Sequence, residues 1–115
     1  MIAHVILFNP RPELTPEARR ELLEALAAAS TRIPSIRKFR VGARVKHGLP
    51  GYEQMMHDDY GFAAIIEFDD LDALKTYLAH PSHESMGRHF SESASRALAY
   101  DYSLVDAVDV RQLTD

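Results

Sequence analysis

Phe62-Ala63-Ala64-Ile65-Ile66-Glu67-Phe68-Asp69-Asp70-Leu71 decides the fold. The run is aromatic, β-branched and short, as a strand is. Successive strand side chains point to opposite faces. Phe62, Ala64, Ile66 and Phe68 therefore share one face, and Ala63 and Ile65 share the other. The strand, read over residues 61–68, is apolar on both. Asp69 or Asp70 then caps a helix whose buried side is expected at Leu71, Leu74 and Leu78. A strand apolar on both faces needs cover on both, and one helix covers one.

Upstream, residues 2–8 repeat the pattern. His4, Ile6 and Phe8 lie on one side, and Val5 and Leu7 on the other, before Pro10 and Pro12 close the run. Thr15-Pro16-Glu17 has the makings of a helix start: a cap, a first-turn proline and an acid at the positive end of the dipole. Leu22, Leu26 and Ala29 form its apolar stripe, opposite Arg19, Arg20, Glu21 and Glu24. Residues 36–45 alternate as a second strand, with Phe39, Val41, Ala43 and Val45 against Lys38, Arg40 and Arg44. The loop at 47–60 is long for a hairpin, which marks it as mobile or functional.

Downstream, His80 precedes Pro81, so the helix stops there. Pro81 suits the first position of another helix, with Met86, Phe90, Ala94 and Ala97 expected along one face. Residues 98–105 read as the last strand. The tail from about residue 106 is polar, a flexible or partner-clasping arm.

The order β-α-β-β-α-(α)-β predicts an α+β, ferredoxin-like fold with a four-stranded antiparallel sheet and helices on one face. The other face is left apolar. A homodimer packed through that open sheet face, a dimeric α+β barrel, is the simplest cover.

Composition narrows the function. The chain has 115 residues, 46% hydrophobic and 26% charged, with net charge -4. That is one globular domain, residues 1–115. Its basic residues are dispersed, so no nucleic-acid partner is expected. It has no cysteine, which excludes disulfides, thiolate metal sites and cysteine nucleophiles. No apolar run is long enough for a membrane span, and the N-terminal run lacks the basic start of a signal peptide. A cytoplasmic location is the default expectation.

The densest group of reactive side chains is Tyr77-Leu78-Ala79-His80-Pro81-Ser82-His83-Glu84. Tyr77 reads either as a phenol that polarises a carbonyl or as a core tyrosine. His83 falls in the first turn after Pro81, where the helix dipole disfavours the imidazolium. It reads as a neutral base or as a packed junction residue. His80 is most simply a structural joint that bonds freed backbone groups. No metal is expected: Pro81 interrupts the helical face that His80, His83 and His89 would need, and His57-Asp58-Asp59 reads as a solvated turn. Tyr100 and Tyr102 share a strand face, as cavity lining or as packing. Arg40 and Arg44 also share one, either to hold an acid or as a wet surface.

Three pieces in order, Ile2-x-His4-Val5-x-Leu7-Phe8, Tyr77-x-x-His80-Pro81-x-His83 and Tyr100-Asp101-Tyr102, resemble the stress-responsive dimeric α/β-barrel (Dabb) family over essentially the whole chain. Its best understood branch resembles plant polyketide cyclases of the olivetolic acid cyclase type. There a tyrosine and a histidine close an aldol ring without metal or cofactor. The resemblance implies that Tyr77 and His83 are catalytic and that no cofactor is used. It implies that His4 lines the substrate cavity. Phe62 stands where the branch has a further histidine, and Tyr100 and Tyr102 are candidate cavity walls. The function so implied is a cofactor-independent Tyr/His enzyme acting on a small apolar or carbonyl ligand. A non-catalytic ligand-binding or stress-response dimer is the alternative, and a cofactor-free oxygenase a weaker one.

Overall fold

The computed structural model describes residues 1–114. In chain order the elements are β1 (Ile2–Pro10), α1 (Pro16–Arg32), β2 (Lys38–Ala43), β3 (Phe62–Phe68), α2 (Leu71–Ala79), α3 (Pro81–Ser93) and β4 (Ala94–Ser103). The strands form one sheet in the order β2-β3-β1-β4, antiparallel throughout. This is the ferredoxin-like α+β arrangement. No described helix is long and apolar enough to cross a membrane.

Local chemistry sets the helix ends. The Thr15 hydroxyl accepts from the Ala18 amide at 3.1 Å, and the Asp70 carboxylate accepts from the Ala73 amide at 2.9 Å. Each satisfies an amide that the first helical turn leaves without a partner. Asp70, not Asp69, is the cap. His80 ends α2 and caps α3: its amide donates to the Tyr77 carbonyl at 3.2 Å, and its Nδ1 accepts from the Ser82 amide at 3.0 Å. The structural role expected of His80 is the one it fills.

The strands alternate as the pattern requires. Ile6 and Phe8 of β1 and Ala64, Ile66 and Phe68 of β3 are buried under the helices with Leu22, Leu26, Ala29, Leu74 and Met86. Fully burying a large apolar side chain contributes about 1.5–3 kcal/mol, so this layer holds most of the stability. Val5, Leu7, Ala63 and Ile65 point to the other face, where Leu7 and Ile65 stay exposed.

Three expectations are corrected. The buried side of α2 is Leu74 and Tyr77, whereas Leu71 and Leu78 are exposed. Positions three and four residues on from Leu74 are both neighbours on a helix surface, and it is the large Tyr77 ring that settles onto Phe68. The helix after Pro81 ends at Ser93, so Ala94 and Ala97 belong to β4 rather than to a helix face. Pairing with β1 overrides the helical propensity of this alanine-rich stretch: Ala97 stands opposite Phe8 and Ala94 opposite Pro10. β2 is shorter than expected: it ends at Ala43, opposite Phe62, where its neighbour β3 begins.

The loop between β2 and β3 is built, not loose. Asn9 holds its end, accepting from the Gly61 amide at 2.7 Å and donating to the Asp59 carbonyl at 2.7 Å. Gly48 and Gly51 take positive φ, which non-glycine residues rarely adopt. Past β4, residues Ala107–Leu113 form a 3₁₀ segment with Val108 almost fully exposed.

Candidate functional site

Tyr77 is the centre of the site. Its side chain is fully buried. Its ring lies 5.1 Å from that of Phe68, 5.7 Å from His4 and 4.7 Å from His83, centroid to centroid. The phenol hydroxyl has no hydrogen-bond partner among the described residues. A buried polar group left unsatisfied costs about 1–3 kcal/mol, and such groups are rare. Burial, reinforced by the negative charge of Asp101, pushes its pKa well above the ordinary phenol range. Tyr77 is therefore a neutral hydrogen-bond donor.

The helix break brings His83 to it. Because α2 ends at His80 and α3 starts at Pro81, His83 lies in the first turn of the new helix, where its ring meets Tyr77 edge to face. Burial lowers its pKa from the ordinary 6.5. Nearby His4 acts in the same direction, and the Leu78 backbone opposes both. A neutral imidazole is a usable proton acceptor near pH 7.

His4 comes from β1, on the sheet face under the helices, and is buried. Its register partner on β4 is Asp101, and its Nδ1 lies 2.5 Å from the Asp101 carboxylate. An ionised carboxylate can only accept, so Nδ1–H donates and the Nε2 of a neutral His4 is left as an acceptor. Asp101 is not among the candidate residues that the sequence singles out. The signal was present: Tyr100 and Tyr102 share a face, so Asp101 between them must take the other, and a lone acid there needs a partner.

The remaining candidates lie elsewhere. Tyr100 pairs with Val5 and Tyr102 with Ala3, which puts both on the open face, with the sheet between them and Tyr77. They do not line the same pocket as His4. The alternation that aligns them with each other opposes them to Asp101. Phe62 shares the face of His4 but pairs with Phe8, four residues along the strand from Ile66 and so roughly 13 Å away. It stacks on Phe8 at 5.5 Å as part of the core. Arg40 sits 3.6 Å from Glu67, and Arg44 donates to Asp59 at 2.7 Å. The structure therefore unites His4, Tyr77, His83 and Asp101, and leaves Phe62, Tyr100 and Tyr102 outside.

Surface cavities open away from this cluster. One, of about 370 Å³, lies at the loop end of the sheet, lined by Leu7, Met56, Tyr60 and Ala63 among others. A second, of about 300 Å³, lies between α1 and α3 beside Arg32, Met86 and His89, a third, of about 220 Å³, beside Val45 and Tyr52, and a fourth, of about 540 Å³, beside Met1, Glu67 and Asp106. Among the described residues, no group of three His, Cys, Asp or Glu is placed to hold a metal.

Comparison with known proteins follows the fold. Residues 2–104 match the family model of the Stress responsive A/B Barrel Domain. Stress-response A/B barrel domain-containing protein HS1 of Arabidopsis thaliana is 26% identical over 101 residues, 88% of this chain and 87% of that protein. A dimeric ferredoxin-like protein of unknown function from Thermobifida fusca superposes with a TM-score of 0.71, at 22% identity over 90% of each chain. Hydroxynitrile lyase from Passiflora edulis superposes with a TM-score of 0.79, at 8% identity over 92% of this chain and 94% of its own. Both superpositions are likenesses of fold.

Proposed function

This chain belongs to the stress responsive A/B barrel domain family, and from that premise we propose that it is a cofactor-independent enzyme moving a proton on a carbonyl compound, with Tyr77 and His83 as its acid–base pair. The observation that carries this reading is the buried Tyr77 hydroxyl, without a hydrogen-bond partner among the described residues, on a ring that packs against those of His4 and His83. A donor left unsatisfied in the free protein is one that a ligand oxygen can satisfy.

The chemistry follows from the two protonation states. His83, neutral, takes a proton from the carbon next to a carbonyl. The electron pair of that C–H bond moves into the carbonyl, and the oxygen becomes an enolate. Tyr77 donates its hydrogen bond to that oxygen more strongly as charge builds, which lowers the barrier. The enolate carbon then attacks a second carbonyl of the same molecule, as in an aldol closure, or takes a proton back. That a hydroxynitrile lyase shares the fold supports a catalytic reading of it.

The working unit in this proposal is a homodimer packed through the open sheet face, in keeping with solved neighbours described as dimeric. Leu7, Ile65, Leu98, Tyr100 and Tyr102 are all exposed on that face.

The test is turnover of enolisable ketones, including polyketide-like compounds, by the wild type and by Tyr77→Phe and His83→Ala. Each change is expected to lower turnover about 10²- to 10⁴-fold while the oligomer remains intact. Full activity in either variant on a substrate that the wild type turns over ends this mechanism. One observation favours a second, non-catalytic reading: Tyr77 is completely covered, as a packed core ring would be. On that reading the protein is a ligand-binding or stress-response dimer, and ligands stabilise it against heat without being turned over.

A further inference from the structure

The cavity between α1 and α3 is separate from the Tyr77 cluster and has a charge character of its own. It lies in the helical layer, with the sheet between it and the open face, so a dimer packed through that face leaves it accessible. Its volume, about 300 Å³, is at the lower end of the range for small-molecule pockets.

Two helix faces build it. On α1, Ala25, Ala29 and Arg32 follow at spacings of four and three. On α3, Ser82, Ser85, Met86 and His89 follow at three, one and three. Such spacings put side chains on one helix face. The α3 set spans seven residues, about 10 Å of helix. Toward the sheet, α1 fills its space with the fully buried Leu22 and Leu26. Toward α3 it presents alanine, which is too small to close the gap. Ala29 and Met86 are buried and make an apolar floor.

Arg32, Ser82, Ser85 and His89 supply the polar groups, and no acidic side chain lines the cavity. Ion pairs among the described residues engage Arg37, Arg40, Arg44, Lys46 and Arg96, and leave Arg32 out. Ser30, Thr31 and Ser91 turn their hydroxyls back onto carbonyls of their own helices. Among the described residues no bond of that kind takes up the Ser82 or Ser85 hydroxyl. The first amides of α3 are already taken, Ser82 by the His80 ring, and His83 and Glu84 by the His80 carbonyl. Whatever binds here is therefore held by side chains: a guanidinium, two hydroxyls and an imidazole. All four can donate, and the guanidinium is always charged.

We infer that this cavity binds a small organic carboxylate, and that Arg32 is the residue that recognises its charge. The planar guanidinium can donate two parallel hydrogen bonds to a carboxylate. The serines and His89 add further donors, and the apolar body of the ligand lies against Ala29 and Met86. Inorganic phosphate fits less well, because the floor has no polar group to replace the hydration of a multiply charged ion. The site stands apart from the acid–base reading of Tyr77 and His83 and does not depend on it.

Benzoate and benzamide form a matched pair of probes, alike in ring and size and different in charge. Their binding to the whole protein can be measured by ligand-observed NMR near neutral pH. Benzoate is expected to bind about ten-fold more tightly, a preference limited by the exposure of Arg32. Arg32→Gln, at an exposed position that the fold does not need, should bring the two affinities within about two-fold of each other by the same reasoning. Lys75→Gln removes the same charge from an exposed position on α2 and should leave the preference as it is. Ala25→Leu fills the cavity with another good helix former and should abolish binding of both probes, with circular dichroism showing that the helices remain. Four results overturn the site: no binding of either probe, equal affinities in the wild type, a preference that survives Arg32→Gln, or benzoate binding that persists in a folded Ala25→Leu. A preference that falls as far in Lys75→Gln as in Arg32→Gln overturns it too, since general attraction would then account for the charge effect.

Discussion

The two faces of the sheet are made from the same strands, alternate residue by alternate residue, yet they have opposite characters. The face under the helices buries Phe8, Ile66 and Phe68 completely and brings together the polar side chains of His4, Asp101, Tyr77 and His83. The other face carries Leu7, Ile65, Leu98, Tyr100 and Tyr102 in the open. The difference teaches that apolar composition alone does not mark a core. What does so is a covering layer, and α1, α2 and α3 provide it on one side. Polar chemistry inside that layer is strengthened because water is excluded. The same groups on the open face would be ordinary solvated side chains.

Several changes would break or sharpen this contrast. The largest expected effect is on the covered face: Phe68→Ala removes a fully buried ring and should cost about 3–5 kcal/mol in urea unfolding. A cost below about 1 kcal/mol would mean that this layer is not the core. Next is His83→Ala, for which a loss of at least about 100-fold in turnover is expected. The pH profile of the wild type checks the same group. His83 is held below its ordinary 6.5, so the active neutral base should persist under mild acid and disappear only as the pH falls through the lowered value. The linkage has a definite sign. The unfolded chain binds the His83 proton first, so its contribution to stability is fully present above pH 6.5 and declines as pH falls from there through the lowered pKa. A midpoint of activity above 6.5 would contradict the burial argument.

A smaller effect with an unusual sign comes from Tyr77→Phe. It removes a buried hydroxyl that has no partner among the described residues, and so should stabilise the protein by about 1 kcal/mol while lowering turnover about 10²- to 10⁴-fold. A loss of stability instead would show that the hydroxyl is satisfied. The smallest effect on the isolated fold is expected on the open face. Tyr100→Lys should change subunit stability by no more than about 0.5 kcal/mol, since the side chain is already 57% exposed. It should nevertheless shift the assembly from dimer to monomer in light scattering. If the subunit unfolds as well, the two faces are less independent than their exposures imply.

Local rules in the chain were sufficient for much of this. Apolar residues of period two in 2–8 and 62–68 place strands apolar on both faces. Thr15-Pro16 and Asp70 mark helix starts, and His80-Pro81 marks the joint that turns one helix into two. Those signals act within a few residues, so they survive reading in one dimension. Tyr77 and His83 lie six residues apart across that joint, and it is the family resemblance that singles them out as a pair. The tertiary structure alone decided what lies beside what at long range. Register between β1 and β4 sets Asp101 against His4, 97 residues apart, and sends Tyr100 and Tyr102 to the far side. Pairing with β1 also turned Ala94 and Ala97 from helix into strand, against their propensity. The choice of Tyr77 over Leu78 for the buried side of α2 depended on the shape of the sheet beneath. Propensity and periodicity are properties of a segment. Register and cover are properties of the contacts between segments, and those contacts gave the Tyr77 hydroxyl its isolation.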